Sequence, residues 1–127
     1  MRSIVFQTSL LRRAFRAALL TTVVVITWLA LADVQHVPAP WYSDKVNHLA
    51  AFFVLAFLAA NSFPHRHSLW LLLGLLGYGL FIEVAQWFTP DRSFELADLL
   101  ADGMGVLMYL PIRRWTGNLP RRLARAA

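Results

Sequence analysis

Residues 69–88 read LWLLLGLLGYGLFIEVAQWF, twenty residues carrying one formal charge, Glu83. At ~1.5 Å per residue such a helix is ~30 Å long, the thickness of a bilayer's hydrocarbon core. Three further apolar runs flank it, at 14–32, 45–61 and 94–112. The expected fold is therefore all-α: a polytopic membrane protein of four transmembrane helices. A basic N-terminal segment (1–13) and a basic tail (113–127) bracket the membrane domain. Composition agrees, since 58% of the chain is hydrophobic and 15% charged, against ~45–50% and ~25% in soluble proteins. The absence of cysteine excludes disulfides, thiolate nucleophiles and Cys-ligated metals.

Charge orients the four runs. All seven acids, Asp33, Asp44, Glu83, Asp91, Glu95, Asp98 and Asp102, fall in or near two loops on one side, with Lys45 and Arg92. The other ten bases lie at the N-terminus, around Arg66 and in the tail, so the split is +10 against −5 within a net +5. Basic flanks stay cytoplasmic, which places both termini inside and the acidic side outside. The bases flank apolar runs and form no recognition helix or aromatic-interleaved sheet, so nucleic acid is excluded as a partner. Their expected partners are the bilayer and its anionic inner-leaflet lipids.

The first run has a rival reading as a secretory signal, because Ala30-Leu31-Ala32 resembles a cleavage site. It exceeds the ~7–15 residues of a signal core, and three more runs follow, which favours an anchor. Asp33 to Ser43 forms an outer loop whose Pro38 and Pro40 break helix and whose Trp41 and Tyr42 suit the interface. Gly74, Gly77 and Gly79 are expected to allow close helix contact, within the chain or in a homo-oligomer. Ser93 or Asp91 is expected to cap the fourth helix.

Three short patterns carry the polar residues. Asp44-Lys45-Val46-Asn47-His48 opens the second run, with Asp44, Lys45 and His48 near one helical face. Glu83 and Gln86, three apart, close the third run. Arg92 precedes Asp98 and Asp102, four apart, on the first turns of the fourth. By helical rise His48 lies ~5 Å, Glu83 ~7 Å and Asp102 ~10 Å below the outer ends of their runs. Three helices thus deliver polar groups to one layer. Polar side chains also join helices and cap their ends without further purpose. Asp91 and Glu95 suit a solvated loop, and His36, His65 and His67 have no evident partner. Asp44, Glu83, Asp98 and Asp102 nonetheless outnumber Lys45 and Arg92. The excess must be relieved by a proton, a charged His48 or a bound cation.

In this order the patterns resemble the VanZ-like family of small bacterial membrane proteins, over about Trp41 to Leu110. The family pattern is Asp-Lys-x-x-His, then Glu-x-x-Gln, then Arg and an acidic helix start ending in Asn-x-x-Gly. It falls here on Asp44, Lys45 and His48, on Glu83 and Gln86, on Arg92 and Asp98, and on Asp102 and Gly105. Asp102 stands where the family often has Asn, which adds a negative charge and favours a cation or proton. The resemblance implies an envelope protein that influences how teicoplanin-type glycopeptides act at the outer face.

Three functions compete. The first is a non-enzymatic factor whose outer pocket, roofed by Trp41, Tyr42, Trp87 and Phe88, binds a lipid-linked or glycopeptide headgroup. The second is a membrane-embedded enzyme using a divalent cation such as Zn²⁺ or Mn²⁺ on His48, Glu83, Asp98 and Asp102. No His-Glu-x-x-His or Gly-x-Ser-x-Gly supports that reading. The third is a proton- or ion-linked transporter subunit, for which four spans leave little room unless protomers pair.

Overall fold

The computed structural model describes residues 2–32, 44–90 and 92–127, and these form helices and no strand. The elements are α1 (Arg2–Leu31), α2 (Asp44–Ser62), α3 (Ser68–Trp87), α4 (Leu96–Tyr109), α5 (Arg113–Thr116) and α6 (Leu119–Ala126). The expected outer loop with Pro38, Pro40, Trp41 and Tyr42, together with Asp33, His36 and Asp91, lies outside the described residues. Residues 2–13 continue the first apolar run as one helix of 30 residues.

The helices α1, α2 and α3 are long and apolar enough to cross a membrane. The fourth run forms a shorter helix than its 94–112 expectation. With 14 residues, α4 is ~21 Å long. It stops before Pro111, which has no N–H for the helix ladder, and the chain turns through Leu110–Ile112 into α5. At its start Ser93 is not the cap, and Asp91 lies outside the described residues. Glu95 is the N-cap, without a side-chain cap bond. By contrast, α3 is capped by His67, whose Nδ1 accepts from Leu69 N at 3.2 Å.

Contacts fix the directions. Arg16 on α1 donates to the Ser62 carbonyl at the end of α2, and Ala30 at the end of α1 meets Gln86 near the end of α3. Thus α1 and α3 run together, antiparallel to α2. Leu49 on α2 faces Gly105 on α4, and His48 meets Asp102, so α2 and α4 run together. The core lies around α2, where Phe52, Leu55, Ala56, Ala59 and Ala60 pack with Leu71, Leu75, Val106 and Tyr109. Edge-to-face rings at Phe53–Tyr109 (5.7 Å) and Phe57–Tyr109 (6.1 Å) bind α2 to α4. The Tyr78 hydroxyl sits 2.8 Å from Thr27 Oγ1 and donates to the Val23 carbonyl, joining α3 to α1.

The α2–α4 crossing depends on glycine. A Cβ on Gly105 would collide with the Leu49 carbonyl oxygen and stand 3.0 Å from Phe53 N. Among the three glycines of α3, only Gly79 makes a close contact; a Cβ on Gly74 or Gly77 would meet nothing within 4 Å. The expectation of close helix contact at those two is therefore corrected within this chain.

Apolar surface faces outward on every long helix. On α4, Leu96, Leu100, Met104, Leu107 and Met108 form an exposed stripe, while Asp98, Ala101, Asp102 and Gly105 are buried. This is the reverse of a helix in water, and it suits lipid outside and polar groups inside. Trp28 and Trp87, both more than half exposed, stand near one end of the bundle; Trp70 and Trp115, equally exposed, stand near the other. From Trp70 to Trp87 the rise is ~25 Å, the spacing of two interfacial aromatic bands.

Candidate functional site

At the Trp28–Trp87 end, three helix segments converge. The first turn of α2 presents Asp44, Lys45 and His48, and the first turns of α4 present Asp98 and Asp102. The last turns of α3 present Glu83 and Gln86. Asp102 and Glu83 are fully buried, and Asp98 and Gln86 nearly so. The groups expected at a similar depth from helical rise converge here, with ligand atoms of His48, Glu83 and Asp102 within 4.8 Å of one another.

His48 Nδ1 lies 2.8 Å from Asp102 Oδ1, and His48 Nε2 lies 3.8 Å from Asp98 Oδ2. Lys45 Nζ bridges two acids, at 2.7 Å from Asp98 Oδ1 and 2.6 Å from Glu95 Oε2. Glu83 Oε2 accepts from the Glu95 backbone N–H at 3.0 Å. Glu95 is exposed, as a loop acid should be, yet its carboxylate and its amide brace two members of the cluster. A residue expected to be a bystander is therefore part of the scaffold, and its position immediately before α4 is the signal that marks it.

Gln86 and Arg92 turn toward α1. Gln86 Nε2 donates to the Ala30 carbonyl at 3.1 Å, and Arg92 Nη2 to the Leu29 carbonyl at 3.4 Å. Both bind the carbonyl end of α1, where orphan carbonyls need donors. Among the described residues Arg92 pairs with no carboxylate, so it does not offset the cluster's charge as its sequence position suggested. Asp44 is exposed and stands near His48 and Asp98.

Packing leaves Asp102 no slack. A Cβ on Gly79 would stand 2.7 Å from Asp102 Oδ2, so glycine there lets α3 pass beside this carboxylate without displacing it. Trp87 and Phe88, two of the four expected roof residues, are exposed above α3 with ring centroids 5.9 Å apart. Trp41 and Tyr42 are outside the described residues.

The opposite end is basic. Arg113 donates to Ser68 Oγ (2.7 Å) and to the carbonyls of Arg66 (2.6 Å) and Pro64 (3.3 Å), closing the α2–α3 turn against α5. Asn61 is fully buried, and its Oδ1 accepts from Leu119 N at 2.7 Å. The tail is thereby held against the bundle, and α6 also packs on α1. A cavity of about 430 Å³ between them is lined by Thr8, Ser9, Arg12, His65, Arg121 and Arg125 with Ile4 and Val5. The sequence singled out neither Asn61 nor His65.

Comparison with known proteins gives one family. The VanZ/LLP1 family model matches residues 3–114. No curated protein and no solved structure matches the chain.

Proposed function

The chain belongs to the VanZ/LLP1 family, and from that premise we propose that this membrane protein binds an amphiphile's headgroup at the outer face of the bacterial cytoplasmic membrane. In this reading α4 makes a fourth crossing, both termini are cytoplasmic, and occupancy of the site alters sensitivity to teicoplanin-type glycopeptides. The observation that carries it is the meeting of three sequence-distant motifs in one buried polar cluster. Residues Asp44, His48, Glu83, Asp98 and Asp102 of these motifs come together at a single end of the bundle. Carboxylates at such depth are costly, and helix association alone is served by neutral groups such as Tyr78 and Thr27.

Lys45 offers an ammonium at the rim of this cluster, and Trp87 and Phe88 offer an apolar ledge beside it. Together they suit a ligand with a polar head and an apolar body. The arginines at the other end, Arg12, Arg121 and Arg125 among them, face the anionic inner leaflet in this orientation. No catalytic step is assigned to the site.

The test is teicoplanin susceptibility of a glycopeptide-sensitive host expressing the wild type, His48→Ala or Glu83→Gln at equal membrane levels. A tolerance gained with the wild type and lost in both variants supports the reading. Equal susceptibility across all three strains overturns it.

A further inference from the structure

We infer that His48, Glu83 and Asp102 hold a divalent cation inside the bundle, an inference that rests on the outer-face site proposed above and gives it a chemistry. One ligand atom from each of the three side chains lies within 4.8 Å of the others. Glu83 and Asp102 have no exposed surface. Each uses one oxygen within the protein: Glu83 Oε2 takes the Glu95 N–H, and Asp102 Oδ1 takes His48. Each keeps the other, Glu83 Oε1 and Asp102 Oδ2, buried and without a hydrogen-bond partner. A buried polar atom without a partner calls for an explanation, and two of them on one cluster call for the same one.

Charge selects the explanation. The nearest ammonium, Lys45, is already shared between Asp98 and Glu95 at the rim, so it does not offset Glu83 or Asp102. Glu83 and Asp102 remain as two negative charges beside an imidazole. A divalent cation with a neutral His48 cancels them in full, whereas Arg92 is turned to the Leu29 carbonyl. The donor set is one nitrogen and two hard oxygens, which suits Zn²⁺ or Mn²⁺ over a soft metal. Three protein donors leave a coordination position open, and an anionic headgroup oxygen fits it. Asp44, His48 and Asp98 form a second set of the same compactness with Asp44 exposed, which provides an entry step from the aqueous side.

The experiment measures metal on the full-length protein in detergent micelles, stripped with a chelator and reloaded with Zn²⁺ or Mn²⁺. Elemental mass spectrometry is expected to find about one equivalent bound to the wild type. Glu83→Gln and Asp102→Asn, each near-isosteric, should lose it by more than the ~10–100-fold that an outer-sphere partner costs. Glu95→Gln should retain it. Folded wild type that takes up neither ion overturns the inference, and a buried proton would give that result; unchanged loading in both variants overturns it too, because the ion then sits elsewhere. Failure here is distinct from failure of the functional reading: metal bound without any susceptibility effect leaves the ion in place and removes the headgroup role.

Discussion

The carboxylate of Asp102 rests on the bare backbone of Gly79, where a Cβ would come within 2.7 Å of Oδ2. Gly79→Ala therefore forces the Asp102 carboxylate to shift, in a site that Phe52 and Leu99, each 3.3 Å from the same position, also crowd. The expected loss is ~1–3 kcal/mol, the range for overpacking a filled site, read as a lower melting temperature in detergent. Gly74→Ala and Gly77→Ala meet open space and should gain ~0.5–1 kcal/mol through helix propensity. Equal effects at all three positions would contradict this contact.

Gly105→Ala is expected to be the most damaging substitution in the bundle. Its Cβ meets the backbone of Leu49 and Phe53, which cannot rotate aside as a side chain does. The α2–α4 crossing must open, at a cost at or above the ~3 kcal/mol upper end for overpacking. Gly103→Ala meets only a Leu76 methyl at 3.2 Å and should fold. Accumulation in membranes, measured by blotting, separates the two.

Arg113 closes the α2–α3 turn through three acceptors, Ser68 Oγ and the carbonyls of Pro64 and Arg66. A lysine keeps the charge and loses the planar fork. Both Arg113→Lys and Arg113→Ala should then destabilise by ~1.5–3 kcal/mol, from hydrogen bonds lost by a charged donor. Recovery of wild-type thermal stability in the lysine variant would show that charge alone matters there.

Asn61 holds the tail. Its Oδ1 takes the Leu119 N–H and its Nδ2 donates to the Phe57 carbonyl at 2.9 Å. Asn61→Leu leaves the Leu119 N–H without its buried acceptor, at ~1–3 kcal/mol. Trypsin should then cut at Arg121, Arg122 and Arg125 faster than in the wild type. An unchanged cleavage rate would mean that the packing of α6 on α1 is sufficient by itself.

Much of this was legible in the chain itself. Apolar runs mark the long helices, and counting rise along them puts His48, Glu83 and Asp102 in one layer, where the structure joins them. The VanZ-like patterns lead to the family that the match over 3–114 shows. What escaped was the direction in which side chains point around each helix. In water an apolar stripe names the buried face, but in a membrane protein the lipid face is apolar too, so Gly79 cannot be told from Gly74 or Gly77 by pattern. The same ambiguity hid Asn61. Arg92 looked like a counter-charge because sequence shows charges but not the carbonyls at the end of α1 that draw it away. The shortness of α4 follows from Pro111, whose consequence was placed one turn too late.

That shortness reaches beyond the protein. A helix of ~21 Å beside a ~30 Å hydrocarbon core makes surrounding lipids compress or tilt to meet it. With α4 crossing as proposed, the leaflet dimples along the stripe from Leu96 to Met108, next to the helix that carries Asp98 and Asp102. If that site takes a headgroup as proposed, thinning there would bring headgroups nearer to the acids. Hosts with thicker membranes would deepen the dimple, and lipid composition becomes a variable of the site as much as any side chain.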